Sequence, residues 1–345
     1  MTNQNRTDDM PRLSDVFDKK FRVGAAVNPI TLNTQGELLR HHFNSLTAEN
    51  EMKFVSLQPV EGLYRFEDAD RLVDFAAANG MGVRGHTLVW HNQTPLWMFE
   101  NADGSAVDRD TLLARMQTHI ETVVTRYKGI VYAWDVVNEA VSDKSGEQLR
   151  PSKWLEIGGE DFIAKAFAYA HAADPNALLF YNDYNESDPE KREKIYALVK
   201  SLKERGVPIH GVGLQAHWNL KQPSTGEIRQ AIERYASLGL KLHITEMDVS
   251  MFESEDRRTD LTKPTEEMLA AQAERYGQFF RLFTEYSEHI DSVTFWGAAD
   301  DYTWLDYFPV RNRKNWPLLF DEKHQPKPSF REVVRAAEGS REELR

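Results

Sequence analysis

The chain has 345 residues, of which 41% are hydrophobic and 28% charged, so it carries enough apolar surface for a substantial folded core. Its formal net charge of −12 disfavours contact with phosphate backbones and anionic lipid, and we expect no nucleic-acid and no membrane partner. It contains no cysteine, which excludes disulfides, thiolate metal sites and cysteine nucleophiles.

Short apolar runs alternate with helical patterns along the chain. Runs rich in Val, Ile and Leu and bounded by turn residues predict buried strands at Phe21–Val27, Asn44–Thr47, Gly82–Trp90, Tyr132–Asn138, Leu178–Asn182, Gly211–Ala216, Lys241–Met247 and Ser292–Gly297. Helices are predicted between them at Ala69–Asn79, Asp110–Arg126, Glu160–Ala173, Pro189–Arg205, Thr225–Leu238 and Thr265–Tyr286. Strand followed by helix, repeated about eight times, is typical of a (β/α)8 TIM barrel of the α/β class.

The pattern predicts one barrel domain, because no Pro-, Gly- or Ser-rich linker divides it. We place a polar N-terminal arm at residues 1–15, the barrel domain at 16–337 and a charged tail at 338–345. The arm lacks the apolar segment of a secretory signal, and no apolar stretch approaches the ~18–20 residues of a membrane span. A cytoplasmic location is therefore expected.

Polar residues follow almost every predicted strand. In a TIM barrel, functional side chains lie at the carboxyl ends of the strands and in the loops that follow. The polar and aromatic residues near these ends include Glu49, Asn50, Lys53, His86, Trp90, Gln93, Asn138, Glu139, Tyr184, Gln215, His217, Glu246, Asp248, Trp296 and Trp304. Because charged groups are costly to bury unpaired, such a ring indicates a site.

Two of these residues are carboxylates that end opposing strands. Glu139 closes the fourth predicted strand and Glu246 lies at the end of the seventh. Strands four and seven face each other across a barrel, so both side chains can enter one cleft. Opposed carboxyl groups suit glycoside hydrolysis, in which one protonates the leaving oxygen and the other attacks or stabilises the anomeric carbon.

Tryptophan usage also favours a sugar ligand. Indole faces suit the apolar faces of sugar rings, and Trp90, Trp97, Trp218, Trp296 and Trp304 all lie in polar surroundings in the sequence. The chain has no glycine-rich phosphate loop and no Gly-x-Ser-x-Gly motif, which disfavours a phosphorylated substrate and a serine hydrolase.

A metal site is the less favoured alternative. It would use His86, His217, Glu139, Glu246 and Asp248. However, the spacing from His86 to His91 does not place both rings on one face of a strand. A metal ring also leaves the tryptophans unexplained, so we expect no metal and no cofactor.

Six ordered motifs resemble those of the glycoside hydrolase family 10 endo-β-1,4-xylanases. They are Thr47–Lys53 (TAENEMK), His86–His91 (HTLVWH), Trp134–Ala140 (WDVVNEA), Gly211–His217 (GVGLQAH), Ile244–Val249 (ITEMDV) and Trp296–Leu305 (WGAADDYTWL). The resemblance runs from about Phe17 to Phe330. The segment Asn92–Phe99 is similar to the intracellular bacterial type.

The resemblance implies a retaining endo-1,4-β-xylanase that forms a covalent glycosyl-enzyme, with Glu139 as acid/base and Glu246 as nucleophile. His217 is then placed to hydrogen-bond the nucleophile, with Asp248 fixing the ring, and Asn138 would hold the sugar 2-hydroxyl. A cytoplasmic enzyme of this kind would cleave xylan-derived xylo-oligosaccharides rather than the polymer.

The resemblance also assigns the sugar contacts. Those on the non-reducing side are Glu49, Asn50, Lys53, His86, Trp90 and Gln93; Gln215 and Trp296 lie near the cleavage point, Trp304 over the adjacent ring and Tyr184 on the leaving-group side. A β-1,4-glucanase or an exo-acting β-xylosidase on the same barrel remains the alternative activity. A non-catalytic sugar-binding barrel is disfavoured because both carboxylates are present.

Overall fold

A computed structural model describes residues 10–342, with side chains described to residue 338. Its strands are β1 (Arg22–Val27), β2 (Ser45–Ala48), β3 (Gly82–Trp90), β4 (Val131–Asn138), β5 (Leu178–Asp183), β6 (Gly211–Leu214), β7 (His217–Asn219), β8 (Lys241–Ser250) and β9 (Ile290–Phe295). All pair in parallel in the order β6-β5-β4-β3-β2-β1-β9-β8, and β6 pairs with β8 to close the ring. The predicted eight-stranded TIM barrel is confirmed, with β7 a short addition beside β8.

Helices surround this ring. They are α1 (Leu13–Val16), α2 (Pro29–Thr34), α3 (Gly36–His42), α4 (Phe54–Leu57), α5 (Glu67–Ala78), α6 (Arg109–Arg126), α7 (Lys153–Gly158), α8 (Asp161–Ala173), α9 (Pro189–Glu204), α10 (Thr225–Ala236), α11 (Glu266–Glu285) and α12 (Pro328–Glu342). The six predicted helices correspond to α5, α6, α8, α9, α10 and α11. Within residues 10–342, every helix is too short or too polar to cross a membrane.

Local sequence explains where the helices begin and end. Ser224 and Glu227 form a reciprocal capping box at the start of α10. Asp188 caps α9, and Pro189 occupies the first helical position, where its missing N–H costs nothing. Gly206 follows α9 with a φ of +72°, a conformation that favours glycine.

The predicted sixth strand is wrong at its carboxyl end. The run Gly211–Ala216 stops being a strand at Leu214, and Ala216 has a φ of +60°. This left-handed residue breaks the extended backbone, which resumes as β7. The break leaves Gln215 and His217 at the mouth of the barrel.

The chain ends pack more closely than the sequence suggests. Leu13, within the predicted polar arm, is fully buried in the core. Helix α12 continues to Glu342 and therefore enters the predicted charged tail. The boundaries at 15 and 337 stay a prediction.

Candidate active site

The two carboxylates singled out by the sequence lie at the barrel mouth and are connected through two amides. Glu139 directly follows β4, and Glu246 lies in β8, the seventh strand of the closed ring. Asn138 Nδ2 donates to Glu139 Oε1 at 3.3 Å. Asn182 Nδ2 donates to Asn138 Oδ1 at 2.9 Å and to Glu246 Oε1 at 2.8 Å. A continuous hydrogen-bonded path thus connects the carboxyl groups.

The backbone places both groups with irregular geometry. Glu139 has a φ of +57°, a left-handed conformation that costs a non-glycine residue on the order of 1–3 kcal/mol. Its N–H donates to the Asn182 carbonyl at 2.9 Å. The pairing of β8 with β9 shifts between Ile244 and Met247, next to Glu246. Such irregularities at barrel rims re-aim side chains.

Histidines surround the carboxylate of Glu246. His217 Nε2 lies 3.2 Å from Glu246 Oε2, and His217 Nδ1 lies 3.0 Å from Asp248 Oδ2. His86 Nδ1 lies 3.9 Å from Glu246 Oε1. Trp304 Nε1 donates to Asp248 Oδ2 at 2.8 Å and so fixes the far end of this chain. The expected Glu246–His217–Asp248 arrangement is present.

These neighbours set the ionisation of the pair. Burial raises the pKa of Glu246, but electrostatic attraction to His86 and a hydrogen bond with His217 outweigh it, so its pKa is lowered overall. Burial opposes the charge on His217, yet Asp248 and Glu246 raise the pKa of His217 to about 10. At neutral pH Glu246 is a carboxylate beside a protonated imidazole.

Neutral donors surround Glu139 instead. Trp90 Nε1 donates to Glu139 Oε2 at 2.8 Å, and Gln215 Nε2 donates to Oε1 at 3.0 Å. Burial raises the pKa of Glu139, and the charges of Asp183 and Glu246 raise it further; the two donors lower it by less. The pKa values of the two carboxyls are therefore shifted in opposite directions, as separate acid and nucleophile roles require.

A buried ion pair supports the site from inside the barrel. Arg84 donates twice to Asp135, at 2.9 and 2.7 Å, and both side chains are essentially inaccessible. Asp135 Oδ2 lies 2.9 Å from His86 Nδ1 and holds that ring beneath Glu246. Bidentate Arg–carboxylate geometry makes this a rigid support.

The predicted non-reducing-side contacts form one group beside Trp90. Lys53 Nζ donates to Asn50 Oδ1 at 3.0 Å and lies 5.0 Å from the centre of the Trp90 ring. Gln93 Nε2 approaches Asn50 Oδ1 at 3.5 Å. Glu49 belongs to the same loop and accepts from the Asn28 side chain at 2.7 Å. These groups present amide, ammonium and carboxylate atoms next to an indole.

Two further tryptophans flank His217. The Trp304 ring centre lies 4.9 Å from that of His217, and the Trp296 ring meets His217 edge-on at 6.3 Å. Trp296 also meets His86 edge-on at 5.4 Å. Trp296 and Trp304 are thus brought to the Glu246 side of the site.

Tyr184 lies in a different environment from the other predicted residues. Its hydroxyl hydrogen-bonds with Asp143 and Arg150, and its ring lies 3.6 Å from Lys191 Nζ. Asp143, Lys191 and His217 all line a cavity of about 580 Å³, which connects this region to the nucleophile side.

Two of the tryptophans that the sequence suggested as sugar contacts, Trp97 and Trp218, pack against other protein groups instead. Trp218 is buried, packs against Phe279 with ring centres 4.6 Å apart and donates its N–H to Glu186 at 3.0 Å. Trp97 packs edge-on against Phe54 and donates to the Gln58 carbonyl. Trp218 is a core residue because its neighbours are apolar in space although polar in sequence, whereas Trp97 is half-buried against the core. The N–H groups of both indoles are satisfied.

Asn182 was absent from the predicted site set although it contacts Glu246 directly. It is the penultimate residue of β5 and belongs to the same ring of polar strand ends, so its position carries a signal. Its amide points to Glu246 rather than to solvent, which the sequence alone does not reveal. Among residues 10–342, no group of three or more His, Asp or Glu side chains is arranged to hold a metal ion.

Comparison with known proteins identifies the family of this chain. The family model described as "Glycosyl hydrolase family 10" matches residues 12–336. An endo-1,4-beta-xylanase of Geobacillus stearothermophilus is 63% identical over 325 residues, covering 94% of this chain and 98% of that protein. Endo-1,4-beta-xylanase B of Paenibacillus barcinonensis is 59% identical over 326 residues, with the same two coverages.

Solved structures similar to this chain are also xylanases. The crystal structure of xylanase XynB from Paenibacillus barcinonensis, complexed with a conduramine derivative, superposes with a TM-score of 0.93 at 59% identity. The superposition covers 94% of this chain and 98% of that chain. A Thermobacillus composti GH10 xylanase superposes with a TM-score of 0.87 at 57% identity, covering 94% of this chain and all of that chain. This chain belongs to glycosyl hydrolase family 10.

Proposed function

We propose that this protein is a retaining endo-1,4-β-xylanase that cleaves β-1,4-xylosidic bonds in xylan-derived xylo-oligosaccharides. The observation that carries the proposal is the pair Glu139 and Glu246, connected through Asn138 and Asn182, with pKa values shifted in opposite directions. The family and the names of the relatives supply the substrate class.

In the first step, Glu139 gives its proton to the glycosidic oxygen while Glu246 attacks the anomeric carbon. The bond to the leaving sugar breaks, and an ester forms between Glu246 and the retained sugar. Asn182 and His217 each bond one oxygen of Glu246, so the attacking carboxylate is oriented before substrate arrives.

In the second step, Glu139 acts as a carboxylate base and takes a proton from water, which attacks the same carbon from the opposite face. Glu246 leaves, and the product keeps the starting anomeric configuration. Asp248 and Trp304 hold His217 in the orientation that stabilises this leaving carboxylate.

The sugar contacts are part of the same proposal. The residues that would bind the non-reducing side are Glu49, Asn50, Lys53, His86, Trp90 and Gln93, and Asn138 would bind the 2-hydroxyl. Gln215 and Trp296 would lie near the cleavage point, Trp304 over the adjacent ring and Tyr184 on the leaving-group side. These assignments are supported by the contacts of Lys53 with Trp90, His86 with Trp296, Trp304 with His217 and Gln215 with Glu139.

The experiment is a digest of xylohexaose followed by NMR from the first minutes. We expect internal cleavage with β-configured new reducing ends. Inversion at the anomeric carbon would contradict the mechanism, and release of single xylose units from one end would indicate an exo-acting β-xylosidase. Faster cleavage of cellohexaose than of xylohexaose would indicate a β-1,4-glucanase.

A cytoplasmic location is also proposed. Folding requires no disulfide because the chain has no cysteine, which is compatible with a reducing compartment. Fractionation of the source cells tests this: the protein is expected with the cytoplasmic markers, and recovery from the culture medium would contradict it.

A further inference from the structure

Lys191 is a buried cation that the two-step chemistry does not use. Its side chain is 3% exposed, and its ammonium lies 3.0 Å from Asp183 Oδ1 and 2.6 Å from Asp143 Oδ1. Its position in the first turn of α9 is unfavourable for a cation, because the positive end of the helix dipole lies there. A residue that breaks a local rule in this way usually serves a purpose elsewhere.

The first of its partners leads to the backbone after Glu139. Asp183 Oδ2 accepts from the Tyr181 hydroxyl at 2.5 Å. The same hydroxyl accepts from the backbone N–H of Val141 at 2.9 Å. Lys191 thus fixes Asp183, Asp183 orients Tyr181, and Tyr181 holds the chain two residues beyond the acid/base carboxyl.

The second partner leads to the backbone of Glu139 itself. Asp143 accepts from Arg150 Nη2 at 2.8 Å, and Arg150 Nε donates to the Glu139 carbonyl at 3.0 Å. The backbone N–H of Arg150 also donates to the Ala140 carbonyl at 2.7 Å. Both branches therefore end on residues 139–141.

This segment needs support because Glu139 holds a left-handed backbone conformation. Such strain persists only where the surroundings over-determine it. We propose that Lys191 is a positioning residue for the general acid: by clamping Asp183 and Asp143, it holds the strained backbone of Glu139 and aims that carboxyl at the leaving oxygen. The inference rests on the proposed role of Glu139.

The clamp formed by Lys191 with Asp183 and Asp143 acts on the Glu139 side of the site. Glu246 is instead held by His217 and Asn182, which the two branches described here do not include. Loss of the clamp should therefore impair protonation of the leaving group and spare nucleophilic attack.

The test compares two xylobiosides that differ only in their leaving group. Phenolate is a poor leaving group and needs protonation, whereas dinitrophenolate leaves without it. The kcat/KM of each substrate reports the first step alone. For Lys191→Met we expect a loss of roughly 10- to 100-fold with phenyl xylobioside and under about threefold with dinitrophenyl xylobioside. Lys191→Arg, which keeps the cation, should recover most of the phenyl activity.

Lys327→Met is the matched control. Lys327 is also a buried lysine, 2.7 Å from Asp300, but its pair is separate from the clamp. For Lys327→Met we expect lower thermal stability, and any loss of kcat/KM should be the same with both substrates. An equal loss on both substrates for folded Lys191→Met, or no loss on either, would overturn the inference.

A second variant covers the case in which Lys191→Met does not fold. Arg150 is only partly buried, and Arg150→Met removes the bond to the Glu139 carbonyl. It should show the same selective loss with phenyl xylobioside, and an equal loss on both substrates would count against the clamp.

Glu139→Ala is the reference variant. If Glu139→Ala lacks the selective loss, the proposed function fails. If only Lys191→Met and Arg150→Met lack it, the inference about Lys191 alone fails.

Discussion

The two carboxyl groups of the site are equally buried in practice but differ in what surrounds them. Glu139 is 9% exposed and contacts the neutral donors of Trp90 and Gln215, whereas Glu246 is 5% exposed and contacts His217. Burial raises the pKa of each carboxyl, and only the cationic neighbourhood of Glu246 reverses the shift. Neighbouring charge, rather than depth, separates an acid from a nucleophile here.

The largest effect should come from removing either carboxyl. Glu246→Ala is expected to lower kcat/KM by at least about 10⁴-fold with every leaving group, because no other group attacks the anomeric carbon. Glu139→Ala should lose about 10²–10⁴-fold with phenyl xylobioside and far less with dinitrophenyl xylobioside. Steady-state kinetics measure both, and a leaving-group dependence for Glu246→Ala instead of Glu139→Ala would reverse the assignment.

A smaller loss is expected when the cationic partner of Glu246 is removed. His217→Asn should lower kcat/KM roughly 10- to 100-fold, the value of a hydrogen bond to a charged group. Removal of the His217 imidazole should raise the pKa of Glu246, because the hydrogen bond and the charge that lower it are lost. Since Glu246 must be ionised to attack, the acidic limb of the pH profile should move to higher pH.

His324→Asn is the matched control, since His324 pairs with Asp301 at 3.2 Å and does not contact the two carboxyls. Its pH profile should match the unmodified enzyme. An unmoved acidic limb in His217→Asn would show that His217 does not set the ionisation of Glu246.

Asn182 offers a neutral comparison on the same carboxylate. Asn182→Ala removes the 2.8 Å donor to Glu246 and is expected to reduce kcat/KM by about tenfold, with less effect on the acidic limb than His217→Asn. Thr245→Val removes only the hydroxyl that orients the amide and should cost less. Kinetics across pH check both, and a larger loss in Thr245→Val would argue against this role of Asn182.

The smallest effect should come from a neutral donor to Glu139. Trp90→Phe removes a hydrogen bond that favours the ionised form, so the pKa of Glu139 should rise further. Because Glu139 must be protonated in the first step, the basic limb should move to higher pH. Trp97→Phe, whose indole bonds to a backbone carbonyl, serves as control and should leave that limb unmoved. A basic limb that moves to lower pH in Trp90→Phe would contradict the account.

The strands and the carboxyl pair could be predicted from sequence, because buried parallel strands leave continuous apolar runs and their carboxyl ends meet at one rim. Trp218 could not: its polar sequence neighbours hide its apolar contacts in space with Phe279. Asn182 was visible as a strand end, but its contact with Glu246 depends on a side-chain direction that no spacing encodes. The same holds for Lys191, because its partners lie in different elements: Asp143 in the loop after β4 and Asp183 at the end of β5.

The most direct measurement is to trap the covalent intermediate and locate it. A xylobioside that carries fluorine at the sugar's second carbon and a dinitrophenyl leaving group slows both steps, but the good leaving group allows the ester to accumulate. Mass spectrometry of the digested protein should find one sugar adduct on Glu246, present in Glu139→Ala and absent in Glu246→Ala. An adduct on Glu139, or activity without any adduct, would contradict the division of roles between the two carboxyls.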